Sequence, residues 1–354
     1  MLDSKVTIDR VMTQPLNTTL SPAKNNKPLS IVTIGGGTGQ FALLSALRDL
    51  PNINICAIVS MADSGGSTGK LRDELGILPP GDVLKCLLAL SPQREIMRDM
   101  LLKRFSADGR LQGHNAGNML LTMLSQYAGD FPSAIQAMAE MLNVTQKILP
   151  VSTDRVTLVA DLDSGQRIFG ESAIDLPRTR TLSKISNIYL VPHHGDSVTA
   201  YPPVLEALKN ADVILLGPGD LYTSLIPNLL VPEVAQTLKD VSAPLVYLCN
   251  IMTKHSETRG FSAEDFLSAV EKTIKRKIDH LVINNRKPEQ KTLEHYLANE
   301  SQLVSISDRQ QLEKKCQIWD VDLLDDTAGI LRHSTEKMSF NLEKVIRKLS
   351  HSRN

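Results

Sequence analysis

Two glycine-rich segments, each directly after an apolar run, constrain the fold of this chain most strongly. The first follows residues 31–34 and consists of Gly35, Gly36, Gly37, Thr38 and Gly39. The second follows residues 53–60 and supplies Asp63, Ser64, Gly65, Gly66, Ser67, Thr68, Lys70 and Arg72. Glycines where a strand runs into a helix let backbone N–H groups and the helix dipole approach an anion closely. Because the two segments follow adjacent strands, they predict one crevice for a nucleotide or a phosphorylated ligand.

Both standard phosphate-binding fingerprints nearly match these segments, and both fail. The dinucleotide pattern G-x-G-x-x-G from Gly35 has Gln40 in place of its third glycine, and no acidic residue ends the second strand. The Walker A pattern has Ser64 at its first glycine, and Leu71 follows Lys70 where Ser or Thr is needed. The sequence therefore argues against an ordinary dehydrogenase and an ordinary P-loop ATPase. Two tight turns without any ligand stay open as the structural alternative.

Two further polar segments stand where helices are predicted to begin. The first contributes His114, Asn115 and Asn118 as candidate ligand contacts, although a helix cap would also explain Asn115. The second follows the β-branched run 211–216, and Asn250 ends the next predicted strand. Its candidate contacts are Gly217, Gly219, Asp220, Tyr222, Thr223 and Ser224. Ligands of open α/β sheets bind beyond the carboxyl ends of the strands at the topological switch point, so these clusters strengthen the prediction of a crevice.

The order of the segments predicts an α/β fold. We expect a Rossmann-like, doubly wound and mainly parallel sheet with helices on both faces. Residues 151–176 alternate around Asp163-Ser164-Gly165 and predict an inserted β-hairpin. Residues 1–28 are predicted to form a mobile N-terminal extension, residues 29–340 the nucleotide-binding domain, and residues 341–354 the end of the C-terminal helix and a tail.

Composition excludes several classes of protein. Lys and Arg number 39, and Asp and Glu also number 39, so the charge footprint of a general nucleic-acid binder is missing. No stretch approaches the ~20 apolar residues of a membrane span, and the first ten residues lack the apolar region of a signal peptide. The four cysteines are far apart, which indicates reduced thiols in a cytoplasmic protein. The adjacent His193 and His194 are expected on the surface, and no metal site is predicted.

Six segments, in order, resemble the gluconeogenesis-factor (YvcK-type) family, which is related to the 2-phospho-L-lactate transferases (CofD). They are residues 35–39, 63–69, 79–82, 113–118, 216–224 and 250–253, and the resemblance runs from about Leu29 to about Phe340. It implies binding of a UDP-sugar such as UDP-N-acetylglucosamine, a role in cell shape and in growth on gluconeogenic carbon sources, and no required cofactor. It also implies that Tyr296 and Arg332 contact the nucleotide, where an aromatic ring can stack on uracil and Arg can clamp a diphosphate. A packing role for Tyr296 and a surface role for Arg332 stay open.

Two hypotheses of different classes follow. The first is a regulatory UDP-sugar-binding protein, for which a cell-envelope or regulatory protein partner and a homo-oligomer are compatible expectations. The second is a transferase that moves a phospholactyl group from a guanosine diphosphate donor to a deazaflavin. In this alternative Asp63 binds Mg²⁺ or acts as a base, and Lys70 and Arg72 neutralise phosphate charge. The second segment offers a single carboxylate, Asp63, which argues against metal-dependent transfer. Gln40 and the pair Lys254-His255 depart from the residues usual in the family.

Overall fold

A computed structural model describes residues 27–106, 109, 111–177 and 182–351. Its strands are β1 (Leu29–Gly35), β2 (Ile53–Val59), β3 (Lys147–Pro150), β4 (Val156–Leu162), β5 (Arg167–Phe169), β6 (Ile185–Pro192), β7 (Val213–Leu216), β8 (Leu245–Leu248), β9 (His280–Asn284), β10 (Gln317–Val321), β11 (Leu324–Asp325) and β12 (Arg332–His333).

The helices lie between these strands in the order expected for an α/β protein. They are α1 (Gly37–Leu47), α2 (Gly66–Leu75), α3 (Gly81–Leu90), α4 (Arg94–Leu102), α5 (Ala116–Ala128), α6 (Phe131–Met141), α7 (Glu171–Asp175), α8 (Pro202–Lys209), α9 (Ile226–Leu229), α10 (Pro232–Asp240), α11 (Ala263–Ile274), α12 (Gln290–Ala298), α13 (Arg309–Glu313) and α14 (Thr335–His351). A π-helical turn, Leu221–Leu225, precedes α9, and a 3₁₀ turn, Thr327–Gly329, precedes β12.

Seven parallel strands form the main sheet in the order β10-β9-β8-β7-β1-β2-β3. Ile31 of β1 lies opposite Ile55 of β2 on one side and opposite Val213 of β7 on the other. From β1 the chain first winds outward through β2 and β3, and then returns to β7 and winds the other way. The winding direction therefore changes between β1 and β7. This arrangement confirms the predicted Rossmann-like, mainly parallel sheet with helices around it.

The core lies on both faces of this sheet. All four residues of β7 and all four of β8 are buried, as expected for central parallel strands covered by helices. Tyr247 and Phe266 are among the largest fully buried side chains. All four cysteines are free, as the sequence predicted, and all four are buried.

The predicted β-hairpin belongs to a separate unit inserted between β3 and β7. Strands β4 and β5 pair antiparallel on either side of Asp163-Ser164-Gly165, and β6 adds a third antiparallel strand on the other edge of β4. His193 and His194 are exposed at its end and contact different partners, Thr157 and Arg155 respectively. The short helix α7 lies between β5 and β6 within this unit.

Several boundaries differ from the sequence-based prediction. Strand β3 has no counterpart in the sequence-based prediction, and Leu303 forms an isolated bridge with Met252. Helix α1 begins at Gly37, inside the first glycine segment. Residues 1–26 of the predicted N-terminal extension lie outside the described residues. Residues 341–351, within the stretch predicted as the end of the C-terminal helix and a tail, belong to α14. None of the helices in the described ranges combines the length and apolarity that a membrane crossing requires.

Candidate functional site

The loops after β1 and β7 touch each other where the winding direction changes. A Cβ atom added to Gly39 would lie 2.2 Å from the carbonyl oxygen of Pro218, which follows a cis Gly217–Pro218 peptide bond. Similarly, a Cβ atom added to Gly219 would lie 3.4 Å from the carbonyl oxygen of Gly36. Only residues without side chains allow backbones to approach this closely. The glycines of the first segment therefore bring the two loops into direct contact.

The amino terminus of α1 opens onto this contact. Its N-cap residue is Gly36, and no side chain among the described residues caps the helix. The carbonyl oxygen of Gly35 accepts a hydrogen bond of 3.2 Å from Nδ2 of Asn228, and a Cβ atom at Gly37 would lie 3.4 Å from Oγ of Ser224. Thr38 is exposed in the first turn. Backbone N–H groups at such a terminus, together with the helix dipole, favour an anion.

Gln40 explains why the dinucleotide fingerprint fails. Its side chain is fully buried, its Nε2 donates to Oγ1 of Thr33 at 2.8 Å, and its Oε1 would lie 2.7 Å from a Cβ atom at Gly35. The amide therefore fills space under the loop that a third glycine would leave free.

The second glycine segment is mostly helical, because α2 begins at Gly66. Ser67 and Thr68 are buried in its first turn, and Lys70 is exposed. Arg72 pairs with Asp73 at 3.0 Å, and its charge also acts on His193 of the inserted unit. The hydroxyl groups of Ser67 and Thr68 therefore face the protein interior. The basic side chains of Lys70 and Arg72 lie on other sides of α2.

The segment with His114 joins the second segment at Ser67. Nδ1 of His114 lies 2.9 Å from Oγ of Ser67, to which Nδ2 of Asn118 also donates at 3.4 Å. Oδ1 of Asn115 accepts from the backbone N–H of Asn118 at 2.7 Å and caps α5. Capping therefore accounts for Asn115, whereas His114 and Asn118 are buried against α2.

Three carboxyl groups meet beside the second segment. Asp82, in the first turn of α3, pairs with Lys85 at 2.9 Å, and Oδ2 of Asp63 would lie 3.0 Å from a Cβ atom at Gly81. Oε2 of Glu171 in α7 accepts from the backbone N–H of Ser64 at 3.2 Å. Burial, followed by the charge of Asp82, raises the pKa of Asp63 to about 6; burial, followed by the charge of Asp63, raises the pKa of Glu171 to about 8.

This cluster corrects the expectation that Asp63 is the single carboxylate available. Asp82 belongs to the segment 79–82 of the family resemblance, but it was assigned no part in the site from the sequence. Glu171 was missed because it stands 107 residues after Ser64 in the chain and reaches the site through the inserted unit. The only local signal was its position inside the predicted hairpin, residues 151–176.

The end of β7 is organised around a buried carboxylate. Glu257 accepts hydrogen bonds from the backbone N–H of Tyr222 at 2.8 Å and from Oγ1 of Thr223 at 2.9 Å. Burial raises the pKa of Glu257 to about 7, against the lowering effect of Lys254. Thr223 and the backbone of Tyr222 are therefore directed towards Glu257.

Lys254 contacts three acidic residues near the end of β7. Its ammonium group contacts Asp175 of α7, Asp220 at 2.7 Å and Glu257 at 3.2 Å. The three carboxylates alone would have the spacing of a metal site. The ammonium group already contacts all three and offsets one of their charges, and their charges raise the pKa of Lys254 against the effect of burial. This donor set therefore does not fit a metal ion as it stands.

Tyr296 and Arg332 are brought together at the same edge of the sheet. The hydroxyl oxygen of Tyr296 in α12 accepts from the backbone N–H of Leu331 at 3.0 Å, next to the exposed Arg332 of β12. Nε2 of His333 lies 3.2 Å from the carbonyl oxygen of Cys249 at the end of β8, and burial lowers the pKa of His333 to about 4. Nδ2 of Asn250 then donates to the carbonyl oxygen of Gly219 at 2.9 Å, which connects this region to the switch point.

Several buried side-chain oxygens around the crevice lack a partner within the described ranges. They are Oε1 of Gln40 and the Oδ1 atoms of Asn118, Asn228 and Asn250. A buried polar atom without a hydrogen bond is energetically unfavourable, by about 1–3 kcal/mol. Their grouping at one edge of the sheet is typical of a site that receives a polar ligand or ordered water.

A large cavity lies elsewhere in the molecule. It has a volume of about 800 Å³ and is lined by Ile31, Ile55 and Leu149 of the sheet and by Ile135 of α6 and Glu206 of α8. It also includes Ser30 and Asn54, near the amino-terminal ends of β1 and β2, and therefore lies away from the glycine segments.

Fold and site together define an α/β protein of Rossmann type with a glycine-lined crevice at its switch point. The family model described as 2-phospho-L-lactate transferase CofD matches residues 31–324. That match covers most of the chain, so the protein belongs to the CofD family, and within it to the gluconeogenesis factors.

Similar proteins agree with this assignment. The gluconeogenesis factor of Listeria monocytogenes is 36% identical over 317 residues, which cover 89% of this chain and 95% of the relative. The gluconeogenesis factor of Halalkalibacterium halodurans is 41% identical over 244 residues, covering 69% of this chain and 73% of the relative. A crystal structure of a Bacillus halodurans protein matches with a TM-score of 0.82 and 34% identity, covering 91% of this chain and 99% of that one.

Proposed function

We propose that this protein binds a UDP-sugar, with UDP-N-acetylglucosamine as the first ligand to test, and that it acts as a regulatory protein of the cytoplasm. In this role it couples carbon supply to cell-envelope synthesis and cell shape, and it requires no cofactor. The regulatory role follows from the family, whose members carry the name gluconeogenesis factor. The crevice supports a phosphate-bearing ligand, and the family resemblance supports a UDP-sugar in particular.

The arrangement of α1, Tyr296 and Arg332 is the observation that most strongly supports the proposed ligand class. The uncapped start of α1 lies at the switch point, and Tyr296 and Arg332 lie at the same edge of the sheet, connected to it through His333 and Asn250. In the proposed arrangement the backbone N–H groups of α1 and the exposed Arg332 bind the diphosphate, because both favour anions. Tyr296 offers its ring to uracil, and its hydroxyl group is held by Leu331.

Isothermal calorimetry of the purified protein with UDP-N-acetylglucosamine tests this proposal, with GDP and NAD as controls. We expect micromolar binding of the UDP-sugar, which corresponds to about −8 kcal/mol. Tyr296→Ala and Arg332→Ala should each weaken it about tenfold or more, because each removes a direct contact. Arg309→Ala, which alters an exposed arginine on α13, should bind like the wild type. Absence of binding, or steady turnover of the UDP-sugar, would contradict the proposal.

The carboxylate cluster favours a second candidate function, the transferase activity after which the family model is named. Asp63 and Asp82 offer oxygen ligands of the kind Mg²⁺ prefers, beside the loops proposed for the diphosphate. A bound Mg²⁺ would supply neutralisation of phosphate charge. Product formation from a guanosine diphosphate-linked lactyl donor and a deazaflavin, dependent on Mg²⁺ and lost in Asp63→Asn, would establish this function. No product at high protein concentration would argue against it.

A further inference from the structure

The cavity of about 800 Å³ lies in a gap between two helices that cover the sheet. Helices α6 and α8 both pack against β3 but hardly against each other. Between them the sheet supplies an apolar floor that includes Ile31, Ile55 and Ile148, all of them buried. Ala139 of α6 and Ala207 of α8 line the walls with small, half-buried side chains. The cavity is therefore a groove whose floor consists of core residues.

This groove opens to solvent and carries a net negative charge. Glu140 of α6 and Glu206 of α8 line it and are exposed. Lys147 of β3 is the single cation among the described residues that line it. Two carboxylates and one ammonium group leave the lining negative. Because complementary charges favour association and suppress wrong partners, the groove suits an occupant that combines apolar side chains with positive charge.

The chain enters its first strand at the mouth of the groove. Lys27 and Pro28 are exposed, and Ser30, at the start of β1, lines the groove. Only β2 separates β1 from β3 in the sheet, so the groove floor is about 10 Å wide. An extended chain covers this distance in about three residues. Residues that precede position 24 can therefore lie along α6 and α8.

The preceding residues, 1–26, have the composition that the groove favours. Their cations outnumber their carboxylates, Asp3 and Asp9, because the segment contains Lys5, Arg10 and Lys24. Four of the seven residues from 6 to 12 are apolar, namely Val6, Ile8, Val11 and Met12. Helix α6 has 11 residues and is about 17 Å long, whereas seven extended residues span about 23 Å. Residues 6–12 are therefore long enough to cover the floor.

We propose that the amino-terminal residues of this chain bind in the groove between α6 and α8 as an intramolecular ligand. Residues 6–12 lie over the apolar floor, and Lys5 and Arg10 lie near Glu140 and Glu206. The attachment at Lys27 favours this occupant over a separate molecule, because a short tether gives an effective concentration in the millimolar range. The groove is distant from the switch point, so this interaction is independent of the proposed function.

Hydrogen exchange of the whole chain tests this inference. We expect residues 6–12 to exchange at least about tenfold more slowly than an unstructured chain, because binding restricts their opening. Ala139→Trp and Ala207→Trp each place a large side chain in the groove, and each should make residues 6–12 exchange about tenfold faster. Val6→Asp combined with Ile8→Asp should have the same effect on this segment. It should also make residues 132–140 of the groove wall exchange about threefold faster.

Ala128→Trp, at an exposed position at the end of α5, is the matched control and should leave the exchange of residues 6–12 unchanged. Strands β7 and β8 should stay protected in every variant, which verifies that the sheet is folded. The inference is overturned if residues 6–12 of the wild type exchange like an unstructured chain, or if the groove-filling or segment variants keep the protection. Protection that falls on dilution of the protein would also overturn it, because the occupant would then belong to a second copy.

Discussion

Gly39 shows how a single residue sets the geometry of the switch point. It lies inside α1, where replacing glycine by alanine usually stabilises a helix by about 0.5–1 kcal/mol. Here the added Cβ atom would meet the carbonyl oxygen of Pro218 at 2.2 Å and the backbone nitrogen of Gly219 at 2.8 Å. Both are backbone atoms of a loop that is itself packed against β1. The close approach therefore outweighs the helix propensity.

Gly39→Ala should lower the free energy of unfolding by about 1–3 kcal/mol, the usual range for overpacking, and should abolish binding at the crevice. Urea denaturation measures the first effect, and calorimetry with UDP-N-acetylglucosamine measures the second. Gly65→Ala serves as the control for stability, because its added atom makes only ordinary contacts. If Gly39→Ala were as stable as the wild type, the loops after β1 and β7 could separate without loss of stability, and the prediction would be wrong.

Features that depend on residues near each other in the chain were predictable from the sequence. Contacts between residues that the fold brings together were only partly predictable. The glycine segments, the cap at Asn115 and the strand ends follow from local patterns. Glu171 does not, because its contact with Ser64 depends on how the inserted unit folds back over the sheet. Likewise, no local pattern shows that Thr223 is directed towards Glu257. The sequence marks where loops carry polar groups, but their partners depend on tertiary packing.

Among the elements, α7 owes its position to Lys254, which appeared in the sequence only as a departure from the family. A five-residue helix has little stability of its own and depends on such contacts. The Lys254 side chain is 30% exposed and interacts with Asp175, Asp220 and the buried Glu257. Removing its charge leaves Glu257 without a counter-charge in a buried position, which is unfavourable.

Lys254→Gln should therefore loosen α7 more than it destabilises the sheet. We expect amide hydrogen exchange in residues 170–176 to become about tenfold faster, equivalent to about 1.4 kcal/mol, with β7 and β8 little changed. Arg347→Gln, which breaks the surface pair with Glu343, should leave the exchange of α7 unchanged. Equal acceleration throughout the protein would mean that Lys254 supports the whole fold instead of this helix.

In the whole molecule, a large cavity and the proposed site lie in different places. The cavity of about 800 Å³ is near the amino-terminal ends of the strands, between α6 and α8. In a doubly wound sheet the ligand site is set by topology, because only at the switch point do neighbouring connections diverge and leave a crevice at the carboxyl ends. Here that point lies between β1 and β7, where the glycine loops meet. The size of this cavity therefore points to one end of the sheet, and the topology points to the other.

Saturation with UDP-N-acetylglucosamine should slow hydrogen exchange at the carboxyl edge and leave the large cavity unchanged. We expect protection in residues 35–40, 63–69 and 217–225, because bound ligand stabilises the local structure that it contacts. Residues 132–149, which line the cavity on α6 and β3, should exchange as in the free protein. Arg332→Ala with the same ligand concentration is the control and should show less protection. Protection confined to residues 132–149 would place the ligand in the cavity and contradict a site at the switch point.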